Sequence, residues 1–192
     1  MTFDAVAAML QSGHCPAPDG SVLPSGSGAA PACFAVRTSP VSAAAPTYTV
    51  CSVTAYQPSF SYYDYQHYRV TGSVDVVCNA SVLQIQNTAT VRSATVLADR
   101  TPVVYDKVGY PDRRSNDYES FASVGGLCNT LGLGTPSCEG AFQTLGDTII
   151  TFSNPENLLV PGPGCVVSDY EIASTLECKS SSLVRPGPVI SI

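Results

Sequence analysis

The chain has 192 residues, 44% of them apolar and only 12% charged, with nine Lys and Arg against fifteen Asp and Glu for a net charge of −6. A chain of this length builds one core, and an acidic balance with no basic run excludes phosphate-backbone binding, so no nucleic-acid partner is expected. Soluble domains carry roughly 25% charged residues; this surface therefore stays wet through Ser, Thr and Asn, or neighbouring subunits cover it.

Residues 3–11, FDAVAAMLQ, predict a short helix with Phe3, Val6 or Ala7, and Met9 or Leu10 on one side. Residues 13–46 are rich in Gly, Pro, Ser and Ala and bury too little apolar surface to order themselves, unless they lie against a partner. Residues 1–46 thus read as a helix followed by an extended arm. The opening MTFDAVAAMLQSGHC has no basic n-region, and its apolar run is too short for a secretory h-region or a membrane span. No signal peptide is visible: either one lies outside this sequence, or the protein is made in a cytoplasm, which the start at Met1 favours.

Residues 47–178 read as a β-rich domain. Runs at 47–56, 61–78, 81–86, 88–97 and 101–108 are rich in Val, Thr and Tyr, and turn residues such as Asn79-Ala80 and Gln86-Asn87 separate them. A helical interlude follows. Asn116 with Glu119 resembles a capping box before Tyr118, Phe121 and Val124, and Thr135-Pro136 reads as a second helix start with Gly146 as its stop. Strands return at 147–153 and within 165–178. Two Pro-Gly-Pro segments, at 161–163 and 186–188, remove ladder donors and cannot be central strands. Residues 179–192 form an extended tail whose apolar end, VISI, is expected to dock on a core or a neighbour. The fold class is mainly β: an antiparallel sandwich or barrel with two or three short helices and extended N- and C-terminal arms.

The eight cysteines show no C-x-x-C pair, and only two histidines exist, so no zinc site and no metal is expected. They form up to four disulfides or sit as small core hydrophobes. Cys51, Cys78 and Cys165 lie in or beside strand-like runs, where a buried thiol is expected. Cys128 and Cys138 flank a Gly-rich loop and are placed to bridge it.

Catalytic groups are scarce. His14 adjoins Cys15, but sequence neighbours point apart. His67 stands in SFSYYDYQHYRVTGSVDVVC, residues 59–78, where alternation along one strand puts Phe60, Tyr62, Tyr68, Val70, Val74, Val76 and Cys78 inward. Tyr63, Tyr65, His67 and Arg69 form an outward stripe. That stripe serves cross-strand packing, a protein interface rich in Tyr and Arg, or a stacking platform for sugars. Asp64, Asp75, Asp106, Asp112, Asp117 and Glu119 are candidate acids, but nothing in the sequence brings two of them together. The last three lie in YPDRRSNDYE, which reads as a solvated turn with local Arg pairing. Asn79-Ala80-Ser81 fits a glycosylation acceptor, and GGLCNTLGLGTP lacks the lysine of a phosphate loop and reads as a connector.

These features predict a non-enzymatic subunit without cofactors. The first expectation is a virion component, such as a minor capsid, decoration or tail protein, or an extracellular filament subunit. Its partners would be copies of itself and other structural proteins in a symmetric assembly, with no membrane partner. The alternative is a secreted β-sandwich that binds glycan or protein through the Tyr63, Tyr65, His67 and Arg69 stripe. A hydrolase, the third reading, requires two converging carboxylates in a cleft.

Overall fold

The computed structural model describes residues 1–17, 19, 21–23, 29–37, 48–96, 102–130, 136–152, 158–168 and 174–188. Helix α1 (Phe3–Gln11) starts where the Thr2 hydroxyl accepts from the Ala5 N–H at 3.3 Å. It stops where the N–H groups of Gly13 and His14 donate to the carbonyls of Leu10 and Met9, both at 3.0 Å. Phe3, Val6 and Leu10 form its buried stripe. They pack on Cys33 and Ala35 of strand β1 (Ala32–Arg37), and a Cys15–Cys33 disulfide ties the segment after the helix to that strand. Ala32, Phe34 and Val36 of the same strand face the main core. This part of the expected N-terminal arm is therefore an interior strand, buried on both faces.

The remaining strands are β2 (Tyr48–Asp64), β3 (His67–Val96), β4 (Pro102–Val108), β5 (Asp112–Asn129), β6 (Ala141–Phe152), β7 (Leu158–Pro161), β8 (Cys165–Ser168), β9 (Ser174–Ser181) and β10 (Arg185–Pro186). All pair antiparallel in one sheet whose main path runs β7-β1-β2-β3-β6-β9-β8, with β4 and β5 paired to β3 and β10 to β6 off that path. β3 is the spine. Along one edge it pairs first with β2 and then with β6; along the other, with β5 and then β4. A register break between Val77 and Val82 marks an irregularity in the β3–β5 ladder. Gly72 in the first half of β3 comes to lie against Val91 in the second half and Thr144 of β6. The sheet thus curls until it is nearly closed into a barrel.

The turn between β7 and β8 brings the two ends of the sheet together, since β7 pairs with β1 and β8 with β9. The Cys33 N–H donates to the Pro163 carbonyl at 3.1 Å, and the Lys179 N–H to the Gly164 carbonyl at 2.8 Å. Gly164 has φ 72°, and a Cβ there would meet the Lys179 carbonyl and Ala32, so only glycine fits this closing turn.

Inside the barrel, Phe34 meets Phe152 edge-on at 5.7 Å and Phe60 meets Phe142 at 5.2 Å, between walls carrying Val53, Val74, Ile85, Ile150 and Leu176. Disulfides Cys51–Cys78 and Cys165–Cys178 join directly opposed residues of neighbouring strands. Cys51, Cys78 and Cys165, expected as buried thiols, are oxidised because register sets each facing a partner. Four disulfides in all match an oxidising, extracytoplasmic environment. No helix among the described residues is long and apolar enough to cross a membrane.

Two expected helices are strands. The Asn116–Val124 stretch lies in β5, with Ser120, Ala122 and Val124 buried at every second position. Asn116 adopts φ 52° inside it, a conformation Asn tolerates. The stretch expected to be helical up to Gly146 becomes β6 from Ala141 onward, and Gly146 lies within that strand because Val74 and Ser180 pack against its Cα. Asn79-Ala80 and Asn87, read as turn residues, fall inside the continuous β3; Asn87 is wholly buried. The C-terminal segment lies on this barrel: Ser181 bridges Ala30, and Arg185 donates to the Pro58 carbonyl at 2.9 Å. The terminal VISI falls outside the described residues.

Candidate functional site

The Tyr63, Tyr65, His67 and Arg69 stripe is bent across a hairpin. β2 ends at Asp64, Tyr65 and Gln66 form the turn, and β3 begins at His67. Asp64 makes the turn: its carboxylate accepts from the Gln66 N–H at 2.8 Å and contacts His67 Nδ1 at 2.8 Å. Burial alone would raise the Asp64 carboxyl, but the bonds from Gln66 and His67 hold it below the usual range. The register shift between Tyr62 and Asp64 places Tyr63 in an irregular step of the ladder. Tyr65 at the turn is 79% exposed, His67 is half-buried against Asp64, and Tyr62, expected inward, is 69% exposed because the hairpin runs past the core.

Tyr63 and Arg69 stay together. The Arg69 guanidinium stands 5.6 Å from the centre of the Tyr63 ring. Both line an open groove of about 800 Å³ between the β2–β3–β5 wall and β4. On β4, Tyr105 and Lys107 are paired across the ladder with Ser93 and Val91, which are buried, so all four side chains share the groove-facing side. Asp106, on the other side of β4, binds Arg92 through two contacts of 2.8 and 2.7 Å, and that guanidinium lowers its carboxyl. Val70 and Phe142 line the bottom.

Gly125 and Gly126 leave β5 without side chains along this wall, which holds the groove open. Beside them, Cys128 is bonded to Cys138, the pair expected to close the Gly-rich loop. Asn129 and Pro136, between those cysteines, are joined by a backbone hydrogen bond of 3.0 Å, which fixes Pro136 at the groove margin. Residues 125–129 of the expected connector are therefore strand.

A second, smaller cleft of about 230 Å³ lies on the outer surface of β3 and β5, where Asp75, Asp117, Glu119 and Arg114 come together. Asp75 is raised by partial burial and by Glu119, against a 3.4 Å bond from the Tyr56 hydroxyl. Asp112 lies beside this cleft. Burial would raise it, but bonds from Arg114 at 2.9 Å and Ser120 at 2.7 Å lower it overall. Local Arg pairing is as expected in this stretch, on a strand instead of a turn. No group of three His, Cys, Asp or Glu among the described residues is arranged to hold a metal ion. His14 contacts the Ser12 hydroxyl at 3.0 Å, and Cys15 is consumed by its disulfide.

Of the expected stripe, Tyr63 and Arg69 line this groove; Tyr105, Lys107 and Ser93, which the sequence did not single out, line it as well. A search of family models, curated proteins and solved structures finds none that this chain matches.

Proposed function

We propose that the protein is a binding module of an oxidising, extracytoplasmic space, and that the groove is its binding site. The observation that carries this reading is the open groove of about 800 Å³ itself, whose lining residues include Tyr63, Arg69, Tyr105 and Lys107 together with the apolar Val70, Val91 and Phe142. Its volume falls within the roughly 300–1,000 Å³ typical of small-ligand sites.

Gly126→Val tests it. A Cβ at this position meets only Lys107 Cγ, at 3.7 Å, so the added side chain fills the groove without disturbing the core. Saccharide and peptide libraries are screened by nuclear magnetic resonance. A hit should shift signals of residues 63, 69, 105, 107 and 126 and be lost in a folded Gly126→Val protein. Hits that map elsewhere, or that survive the substitution, overturn the reading.

A second reading, an assembly subunit of a virion or an extracellular filament, draws on the outer edge of β4. That edge is unpaired among the described residues, and Val104 and Val108 are 58% and 60% exposed there. Such an edge accepts an added strand. The described parts of both arms lie on their own barrel, so binding stands first. Sedimentation at high concentration separates the two: self-association abolished by Val104→Lys supports assembly, and a monomer throughout removes it.

A further inference from the structure

We infer that the groove is an open seam between two strand edges, and that the chain's own residues 189–192 dock in it as an added strand. Docking stands on the seam itself; that it regulates access to the groove rests on the binding reading above. Consecutive residues line both sides: Tyr105, Asp106 and Lys107 of β4, and Gly125, Gly126 and Leu127 of β5. Successive side chains of a strand point to opposite faces of its sheet, so a cavity that meets three in a row lies at the strand's edge and not over a face. Register agrees. Gly126 pairs with the buried Val70 and Lys107 with the buried Val91, whereas Leu127 pairs with the exposed Arg69. Among the described residues, β4 pairs only with β3, and β5 pairs with β3 and, at Asn129 alone, with Ser137. Both edges therefore turn backbone groups without a strand partner into the seam. It is closed at one end, where a Cβ on Gly109 would stand 3.0 Å from the Val124 Cβ, and Pro136, held by Asn129, marks the other.

The C-terminal segment is delivered to that second end. After β9 it runs along β6: Arg185 pairs with Phe142 and Pro186 with Ala141, and the Gly187 N–H donates to the Gly140 carbonyl at 2.9 Å. Pro188 has no N–H to donate, so it cannot extend this ladder. A Cβ on Gly187 would meet the Cys138 carbonyl and, at 3.2 Å, the Phe142 ring. Phe142 lines the groove, and Cys138 is bonded to Cys128, next to Leu127. The residues that follow, Val-Ile-Ser-Ile, lie outside the described ones; they are uncharged and mostly apolar, and four extended residues reach about 13 Å. In the seam their backbone would pair with a strand edge. Ile190 and Ile192 would share one side of the added strand, and Val189 and Ser191 the other, beside Tyr105 and Leu127, which are 39% and 41% exposed.

Backbone amide exchange, read by nuclear magnetic resonance, is compared in the full chain, in a chain ending at Pro188, and in the double variant Ile190→Asp with Ile192→Asp. The β4 and β5 amides that face the seam should exchange about tenfold or more faster in both variants, as for a seam filled roughly nine-tenths of the time. Amides of β1, in the interior, should be unchanged, and circular dichroism establishes that each variant is folded. Protection in the full chain should not change on dilution. Compounds that map to the groove should bind the shortened chain about tenfold more tightly. If seam exchange is the same in all three proteins, own-chain docking is overturned while the binding reading stands. If protection falls on dilution, the segment of a second copy is the occupant, and own-chain docking is overturned likewise. Equal affinity of such compounds for both chains overturns the regulation alone. If residues 189–192 protect the seam but no compound maps to the groove of the shortened chain, docking stands and the binding reading falls.

Discussion

The Thr148 hydroxyl donates to Asn87 Oδ1 at 3.0 Å inside the barrel, where β6 lies beside β3. The Asn87 amide donates in turn to the carbonyls of Val74, at 3.0 Å, and Ser120, at 3.4 Å. One wholly buried side chain therefore links both halves of β3 with β5 and β6. Asn87→Ala strands these carbonyls and the Thr148 hydroxyl, and should cost about 2–3 kcal/mol in urea denaturation. A loss near zero would mean that water replaces the amide.

Gly72 sets how closely the two halves of β3 approach. A Cβ there would stand 2.6 Å from Val91 Cγ2 and 2.7 Å from Thr144 Oγ1. Gly72→Ala should destabilise the fold by about 1–3 kcal/mol through overpacking. Because Val91 also lines the groove, ligand affinity should fall in the same variant. A thermal melt and a titration of one sample measure both effects.

Cys51–Cys78 closes a separation of 27 residues and Cys128–Cys138 one of 10. Chain-entropy estimates give losses of about 3.5 and about 3 kcal/mol for the paired Cys→Ala variants. The distinguishing result is binding. Removing Cys128–Cys138 releases the segment that holds Pro136 at the groove and should weaken ligand affinity, whereas removing Cys51–Cys78 should leave the affinity of the folded fraction unchanged.

Asp75 is held above the ordinary carboxyl range, chiefly by burial. A carboxyl raised by folding contributes stability that is fully present below its unfolded pKa of about 3.9 and is lost as pH rises through the folded value. Asp75→Asn removes that loss. The variant should melt above the parent at about pH 7, and the two should converge near about pH 3. It should also lower the pH at which Tyr56 ionises, since Asp75 adds to the burial that raises it.

The β texture was legible because Val, Thr and Tyr recur in short alternating runs, and α1 because Phe3, Val6 and Leu10 keep a helical stripe. The Asn116–Val124 stretch misled because its inward residues, Ser120 and Ala122, are small or polar, while Tyr118, Phe121 and Val124 recur every third position as on a helix. The interior of β6 likewise holds Thr144, Gly146 and Thr148, which hide a period of two. At the hairpin, neither Gly nor Pro marks Tyr65-Gln66. The signal available was Asp64 two residues before Gln66 and three before His67, a spacing that lets one carboxylate tie the turn. Tyr105 and Lys107 left no local trace, since the groove they line also takes residues from β2, β3, β5 and β6.

All four disulfides pair cysteines that are consecutive along the chain: 15 with 33, 51 with 78, 128 with 138 and 165 with 178. Eight cysteines allow roughly a hundred connectivities, and this is the one in which every ring can shut as its own segment emerges, without waiting for later sequence. Oxidation can therefore proceed in the order of synthesis, with no bridge to undo before the next is made. The same pattern has a mechanical cost. No covalent link joins one ring to another except the backbone, so a single cut between residues 78 and 128 divides the denatured, unreduced chain into two pieces.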